Sequence, residues 1–170
     1  MAKTNYIDNK EFLKEMVTYR KAVIAAKKKG EPKPRIPEYV GACFMKIAEN
    51  LSHKPNFISY TFRDEMVSDA IENCVMYCDN FNPAKSKNPF AYFTQIVWYA
   101  FIRRIQREKK QLYVKYKSTE MIAVLDGFDQ MAGGQYDQYD NISEFIQTFE
   151  EARDKKKEKQ KKNLEKFMKD

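Results

Sequence analysis

Apolar side chains recur along most of this chain at intervals of three and four, the period of a helix that buries one face. Phe12, Met16, Tyr19 and Val23 share one stripe, and Asp8 followed by Glu11 predicts a capped start for that first helix. Lys27, Lys28, Lys29 and Gly30 supply a basic last turn and a stop. A second stripe, Val40, Phe44, Ile47, Ala48 and Leu51, follows Pro37, a residue suited to a first helical turn. A third helix starts near Arg63 and carries Met66, Val67, Ala70, Ile71, Cys74, Val75 and Cys78 on one side. Asn88 as N-cap and Pro89 in the first turn open a fourth. Its stripe is Phe90, Phe93, Ile96, Val97, Ala100 and Phe101, widened by Trp98 and Ile105. No alternating strand pattern competes with these helices. The run 112–116 (LYVKY) is the one β-like stretch, and it reads as helix continuation or a turn.

The breaks between stripes set the predicted organisation. Residues 1–37 form an N-terminal helix and a linker stiffened by Pro32, Pro34 and Pro37, since proline disfavours helix in the residue before it. Residues 38–117 form a helical domain, interrupted at 52–62 and by a turn-rich connection at 79–89. In the block 118–150, the stretch 126–140 holds three glycines among polar residues and reads as a loop. A short amphipathic helix is expected over 142–151. Residues 151–170 read as a basic tail that ends in an apolar cluster, Leu164, Phe167 and Met168. The predicted fold class is all-α, a compact helical bundle with a partly flexible C-terminal extension.

Charge changes this picture from a plain bundle to one with an anionic partner. The 170 residues carry a formal net charge of +7, and the charge comes in blocks. Every charge from Lys85 to Lys117 except Glu108 is positive; every charge from Ser118 to Glu150 is negative; lysine dominates again from Arg153. An acidic block between two basic ones can fold back on either. No window is long and apolar enough for a membrane span, and the N-terminus lacks the apolar core of a signal peptide, so a cytoplasmic protein is expected.

Enzymatic constellations are poor. There is no glycine-rich phosphate loop and no nucleophile elbow, and the single histidine, His53, has no evident nucleophile beside it. Cys74 and Cys78 stand at helical spacing with Cys43 far away, which is short of a four-ligand zinc site; buried free thiols are expected. The reading is therefore non-enzymatic, with no cofactor and no metal.

The fourth helix carries the chemistry. Opposite its apolar arc lies a narrow sector of Tyr92, Gln95, Tyr99, Arg103 and Gln106, with Arg107 at its edge and Lys109 and Lys110 beyond. A core helix with a polar rim would look like this. So would a nucleic-acid face, in which tyrosines stack on unpaired bases, glutamine reads adenine edges and the basic residues hold phosphates. The third helix presents a different surface: Asp64, Glu65, Ser68, Asp69 and Glu72 opposite its stripe. Most such acidic faces are simply solvated.

The stretch RDEMVSDAIENCVMYCDNFNP (63–83) followed by NPFAYFTQIVWYAFIRRIQREKK (88–110) resembles the second conserved region of bacterial sigma factors. Asp79 and Phe81 match that family's turn, and Phe90 and Phe93 match the start of its promoter helix. The likeness is closer to the short late-transcription sigma factors of T4-type bacteriophages, over about the first 117 residues. It rests on the NYIDNKEFL start, the opening at Asn88, Pro89, Ala91, Tyr92, Thr94 and Gln95, and the RIQREKK end. The resemblance implies a bundle of the sigma region 2 type acting in an infected bacterial host. Asp64, Glu65, Ser68, Asp69 and Glu72 would dock on the clamp coiled coil of the host core RNA polymerase large subunit. The fourth helix would recognise and open an AT-rich promoter element, with Arg103, Arg104, Arg107 and Lys109 anchoring the DNA. Leu164, Phe167 and Met168 would form a motif for a phage sliding clamp, with a co-activator as a further partner.

The chain departs from the family in one important place. General sigma factors carry a tryptophan pair as a wedge in this helix; the matching positions are Ile96 and Val97, with Trp98 displaced by one and expected to turn inward. Phe93, Tyr92 and Tyr99 are then the stacking candidates. No room remains for a helix-turn-helix domain, so such a factor is expected to depend on helpers. Two rival readings stand beside it: a small helical DNA-binding regulator that works without polymerase, and an adaptor or anti-sigma protein that binds polymerase without reading a promoter.

Overall fold

The computed structural model describes residues 6–125 and 136–167, with side chains described over 6–121 and 141–160. The described residues form five α-helices and no strand, as the all-α expectation requires: α1 (Asn9–Lys29), α2 (Glu38–Ser52), α3 (Arg63–Tyr77), α4 (Pro89–Leu125) and α5 (Tyr136–Phe167), with a 3-10 turn at Cys78–Asn80. The chain divides into two compact units, Met1–Ile105 and Gln106–Asp170, and the division falls within α4.

In the first unit, local chemistry sets both ends of α1. The Asp8 carboxylate accepts from the backbone N–H of Lys10 at 2.8 Å, satisfying a donor that α1 cannot satisfy itself. Gly30 closes α1 in the left-handed region at φ 73°, and Glu31 N–H returns to the Ala26 carbonyl at 3.0 Å. A side chain with Cβ at residue 30 would be strained in that conformation. Pro37 stands at the N-cap of α2, one residue earlier than a first-turn position.

The apolar stripes meet in one core. Phe12, Met16 and Tyr19 of α1, Val40, Phe44, Ile47 and Ala48 of α2, and Met66, Ala70 and Cys74 of α3 are all buried. Phe93, Val97, Ala100, Phe101 and Ile105 of α4 complete it. Val75 of the third stripe is instead exposed, although Cys74 before it and Cys78 after it are buried. Phe57, from the break between α2 and α3, is buried edge-on to Trp98 and Phe101, at ring distances of 4.9 and 5.0 Å. The N-terminal helix is thus a wall of the core.

The second unit differs most from expectation. The run 112–116 continues α4, which ends at Leu125. The short helix expected over 142–151, the last residues of the expected loop (136–140) and much of the basic tail join into the single helix α5. The loop residues 126–135 lie outside the described residues. Lysine, glutamate and glutamine are good helix formers. Pairs such as Glu151–Lys155, four residues apart at 3.6 Å, add to that preference over a stretch with no apolar stripe. Tyr113 stacks on Phe149 at 4.5 Å, Tyr116 meets Phe145 edge-on at 5.5 Å, and Ile146 is buried. Residue numbers fall on α4 as they rise on α5, so the two helices of this unit run antiparallel.

All three cysteines are free and buried. Burial pushes the Cys74 and Cys78 thiols up to about 12 and also raises Cys43. Among the described residues no group of three or more His, Cys, Asp or Glu is placed to hold a metal ion. The thiolate is the reactive form, so the native protein at mildly alkaline pH is expected to leave a disulfide reagent unconsumed, and all three thiols should react once it is denatured. Prompt reaction of Cys74 or Cys78 in the native protein would contradict this core. Phe93, with 0% exposure, sets a second test. Phe93→Ala is expected to cost about 3–5 kcal/mol in urea unfolding followed by circular dichroism. Tyr99→Ala, at an exposed position, should stay within about 0.5 kcal/mol.

Candidate nucleic-acid interface

Within the first unit α4 is held at its start from two sides. The Asn88 side chain accepts from Ala91 N–H at 3.0 Å as its N-cap, and the Asn9 side chain of α1 accepts from Phe90 N–H at 3.2 Å. The preceding turn is also fastened. Asp79 pairs with Lys33 of the linker at 2.9 Å and receives the Tyr19 hydroxyl at 3.4 Å. The Arg20 guanidinium donates to the Phe81 carbonyl, while the Phe81 ring is buried against Tyr92 (5.3 Å) and Phe93 (6.1 Å). The two residues of the Asp-x-Phe turn therefore do separate work. Asp79 ties down the turn, and Phe81 sets the depth at which α4 enters the core. Sequence reasoning missed Asn9, Lys33 and Arg20 in these roles, and no local pattern marks such long-range partners.

With its start fixed, α4 turns a defined face outward. Gln95, Tyr99 and Arg103 are exposed on successive turns, Tyr99 at 53%. Two expected stacking residues are not available there. Phe93 is wholly buried among Phe12, Phe44 and Phe81, so no base can reach its face. Tyr92 is half-buried with its ring against Phe81 and Phe93. Trp98, expected to turn inward, does so only partly: one edge meets Phe57 and 37% of the residue remains exposed. The accessible aromatic edge of α4 is therefore Tyr99 and Trp98.

The arginines connect this helix to α3. Arg103 Nη2 donates to Asn73 Oδ1 at 2.7 Å, and Asn73 Nδ2 donates to the Asp69 carbonyl at 2.6 Å. Arg104 Nη1 meets Asp69 Oδ2 at 3.3 Å. Arg104, expected among the DNA anchors, is mostly buried and committed to this ion pair, whereas Arg103 keeps an exposed head. Asp69 likewise serves the fold, while Asp64, Glu65, Ser68 and Glu72 stand exposed on the outer side of α3. The acidic face is therefore narrower by one carboxylate than the sequence implies.

In the second unit Gln106, Arg107, Lys109 and Lys110 are exposed on the continuation of α4. Of the acidic block, Glu150 meets α4 at a different place from this basic run. Glu150 accepts from the Tyr113 hydroxyl at 2.7 Å and lies 3.7 Å from Lys117. Side chains of Leu164 and Phe167, and the whole of Met168, lie outside the described residues. No helix among the described residues is long and apolar enough to cross a membrane. No protein family model matches the chain, and no curated protein matches it.

The Tyr113 hydrogen bond, with Lys117 and Arg153 nearby, holds the Glu150 carboxyl below its ordinary value of 4.5. A carboxylate whose folded value is depressed adds stability above its unfolded value and loses it as pH falls through the folded one. The second unit is therefore expected to weaken as pH drops below about 4.5. Glu150→Gln should flatten that part of the profile in thermal melts followed by circular dichroism. A pH dependence identical to the native chain's would remove Glu150 from the account.

Proposed function

We propose that this chain is a sigma-type transcription initiation factor of the T4-type phage late class, acting on a bacterial host's core RNA polymerase. The observation that carries the reading is the division of labour in the first unit. One bundle presents an acidic outer face on α3 (Asp64, Glu65, Ser68, Glu72) and an aromatic–basic outer face on α4 (Gln95, Tyr99, Arg103). A basic clamp helix is the complement of the first, and an opened promoter strand is the complement of the second. The polymerase supplies the chemistry in this reading, and the factor supplies address and strand capture.

The α4 face suits single-stranded DNA. A tyrosine on a helix surface offers its ring to any base, a stacking contact worth about 1–3 kcal/mol in known cases. Gln95 stands about one turn from Tyr99 and can read an adenine edge beside the stacked base. Arg103, one turn further, holds a phosphate while Asn73 keeps its guanidinium oriented. An AT-rich element favours this arrangement because it opens at low cost. A co-activator and a sliding clamp at the C-terminal motif are further proposed partners, made necessary by a surface that holds an open strand and carries only one exposed tyrosine and a partly exposed tryptophan.

The polymerase-independent DNA binder and the polymerase-binding adaptor are separated from this reading by one experiment. The purified chain is mixed with bacterial core polymerase, run on gel filtration, and tested for transcription from an AT-rich template with a pre-opened bubble. Co-elution with start-specific transcripts is expected. Glu65→Lys with Glu72→Lys should abolish co-elution while circular dichroism stays unchanged; Asp69 is avoided because it serves Arg104. Tyr99→Ala with Arg103→Ala should keep co-elution and lower transcripts at least ten-fold, roughly the loss of one stacked base and one charged contact. Elution of the native chain apart from polymerase would sink the proposal.

A further inference from the structure

The second unit brings together two basic segments that the acidic block separates in sequence. On α4 the side turned to α5 carries Tyr113, Tyr116 and Lys117, and one turn toward its start the same side carries Lys109 and Lys110. On α5 the side turned to α4 carries Phe145, Ile146 and Phe149. At helical spacing that stripe continues as Arg153, Lys156 and Lys157. Because the helices run antiparallel, both continuations leave the aromatic contact in the same direction. The apolar seam thus ends at Tyr113–Phe149 and passes into a cleft with cations on both walls. Arg153 sits close enough to lower the proton affinity of the Tyr113 hydroxyl against the Glu150 hydrogen bond that raises it.

Like charges facing across a helix pair repel, and the local carboxylates relieve only part of this. Asp154 pairs with Arg153 (3.6 Å) and Lys157 (4.0 Å), both at exposed positions where such pairs contribute little. Lys109, Lys110, Arg153, Lys156 and Lys157 are all exposed. We infer that this cleft is a phosphate-backbone site for duplex nucleic acid, independent of base sequence. A regular polyanion fits cations set on two facing walls, since it presents charge to both along its length. A membrane surface fits poorly. Between Glu151 and Lys162 the one apolar side chain is Ala152, which leaves nothing to insert between lipid headgroups.

This site goes beyond the proposed initiation function: it shares Lys109 and Lys110 with the expected promoter-anchoring run, but it acts without polymerase and needs the cations of α5. It gives the free chain a weak, salt-sensitive hold on DNA of any sequence. The test is fluorescence anisotropy of the full chain with a labelled duplex of arbitrary sequence over a salt series. Lys156→Gln with Lys157→Gln removes two cations from the cleft wall. Lys155→Gln with Lys159→Gln removes two from elsewhere on the same helix, with the same change in net charge. The cleft variant is expected to bind several-fold more weakly and to lower the salt slope by about 1.8, since each phosphate contact contributes about 0.9. The control pair should change both far less. Equal losses from the two pairs would mean bulk charge and overturn the site. So would native binding to equimolar phosphatidylcholine–phosphatidylserine vesicles without binding to the duplex. Circular dichroism of both variants checks that α5 persists; if the cleft pair lost helix, Lys109→Gln with Lys110→Gln would remove the same site's charge from the other wall, and an unchanged slope there would overturn it.

Discussion

The outward face of α4 in the first unit depends on the seat of one ring. Phe93 packs within 5.6 Å of Phe12, 4.5 Å of Phe44 and 6.1 Å of Phe81, so α1, α2 and the turn before α4 all converge on it. Tilted aromatic pairs of this kind are geometrically selective as well as apolar. Fixing one side of a helix fixes the other, because residues are set at about 100° intervals around its axis. With Phe93, Val97, Ala100 and Phe101 inward, Gln95, Tyr99 and Arg103 can only point outward. The same constraint explains why the N-terminal helix is integral: Phe12 is one of the three walls, and Asn9 caps the first turn of α4.

A second constraint is polar and links the two outward faces. Asp69–Arg104 and Asn73–Arg103 bind α3 to α4 at the point where each helix turns its charged side to solvent. Burying most of Arg104 without a carboxylate beside it would be costly. Under the proposed reading, this pairing keeps the polymerase-docking helix and the strand-holding helix in fixed register. A docked polymerase would therefore hold the α4 face at a defined distance from its own active centre.

Much of this was legible in the sequence because burial follows periodicity. The stripes on α1 and α2 fall on buried residues except at Val23 and Leu51, which are partly buried, and Asp8, Gly30 and Asn88 act where turn chemistry puts them. The misreadings have separate causes. Phe93 lay on the apolar arc by spacing, yet the family resemblance also made it a stacking candidate; the packing follows the spacing, because an aromatic ring at a buried register has no route out. Arg104 sits in a basic run, and a run hides which of its members points back at a neighbouring carboxylate. The extent of α5 was missed because an apolar pattern marks a helix by its buried stripe, and none of the side chains described past Phe149 is buried. Its helical order there comes from propensity and charge pairing, which leave no periodic apolar mark.

The same blindness has a consequence for how function is divided. In α4, residues up to Ile105 are tied into a core and can only present a shape; they suit a task that needs fixed geometry, such as holding one flipped base against Tyr99. Over residues 151–160, α5 is charge on an exposed scaffold and suits a task that needs field and little geometry. The wedge positions of the resembled family fall at Ile96, half-buried, and Val97, fully buried, so neither of those two positions can force a duplex apart. Within the proposed reading, strand separation must then come from the low cost of an AT-rich site and from the polymerase. In that reading, what remains for this chain is to capture the strand once it is open. A protein that captures without forcing gains most from being near DNA already, which is the contribution a sequence-blind electrostatic hold makes.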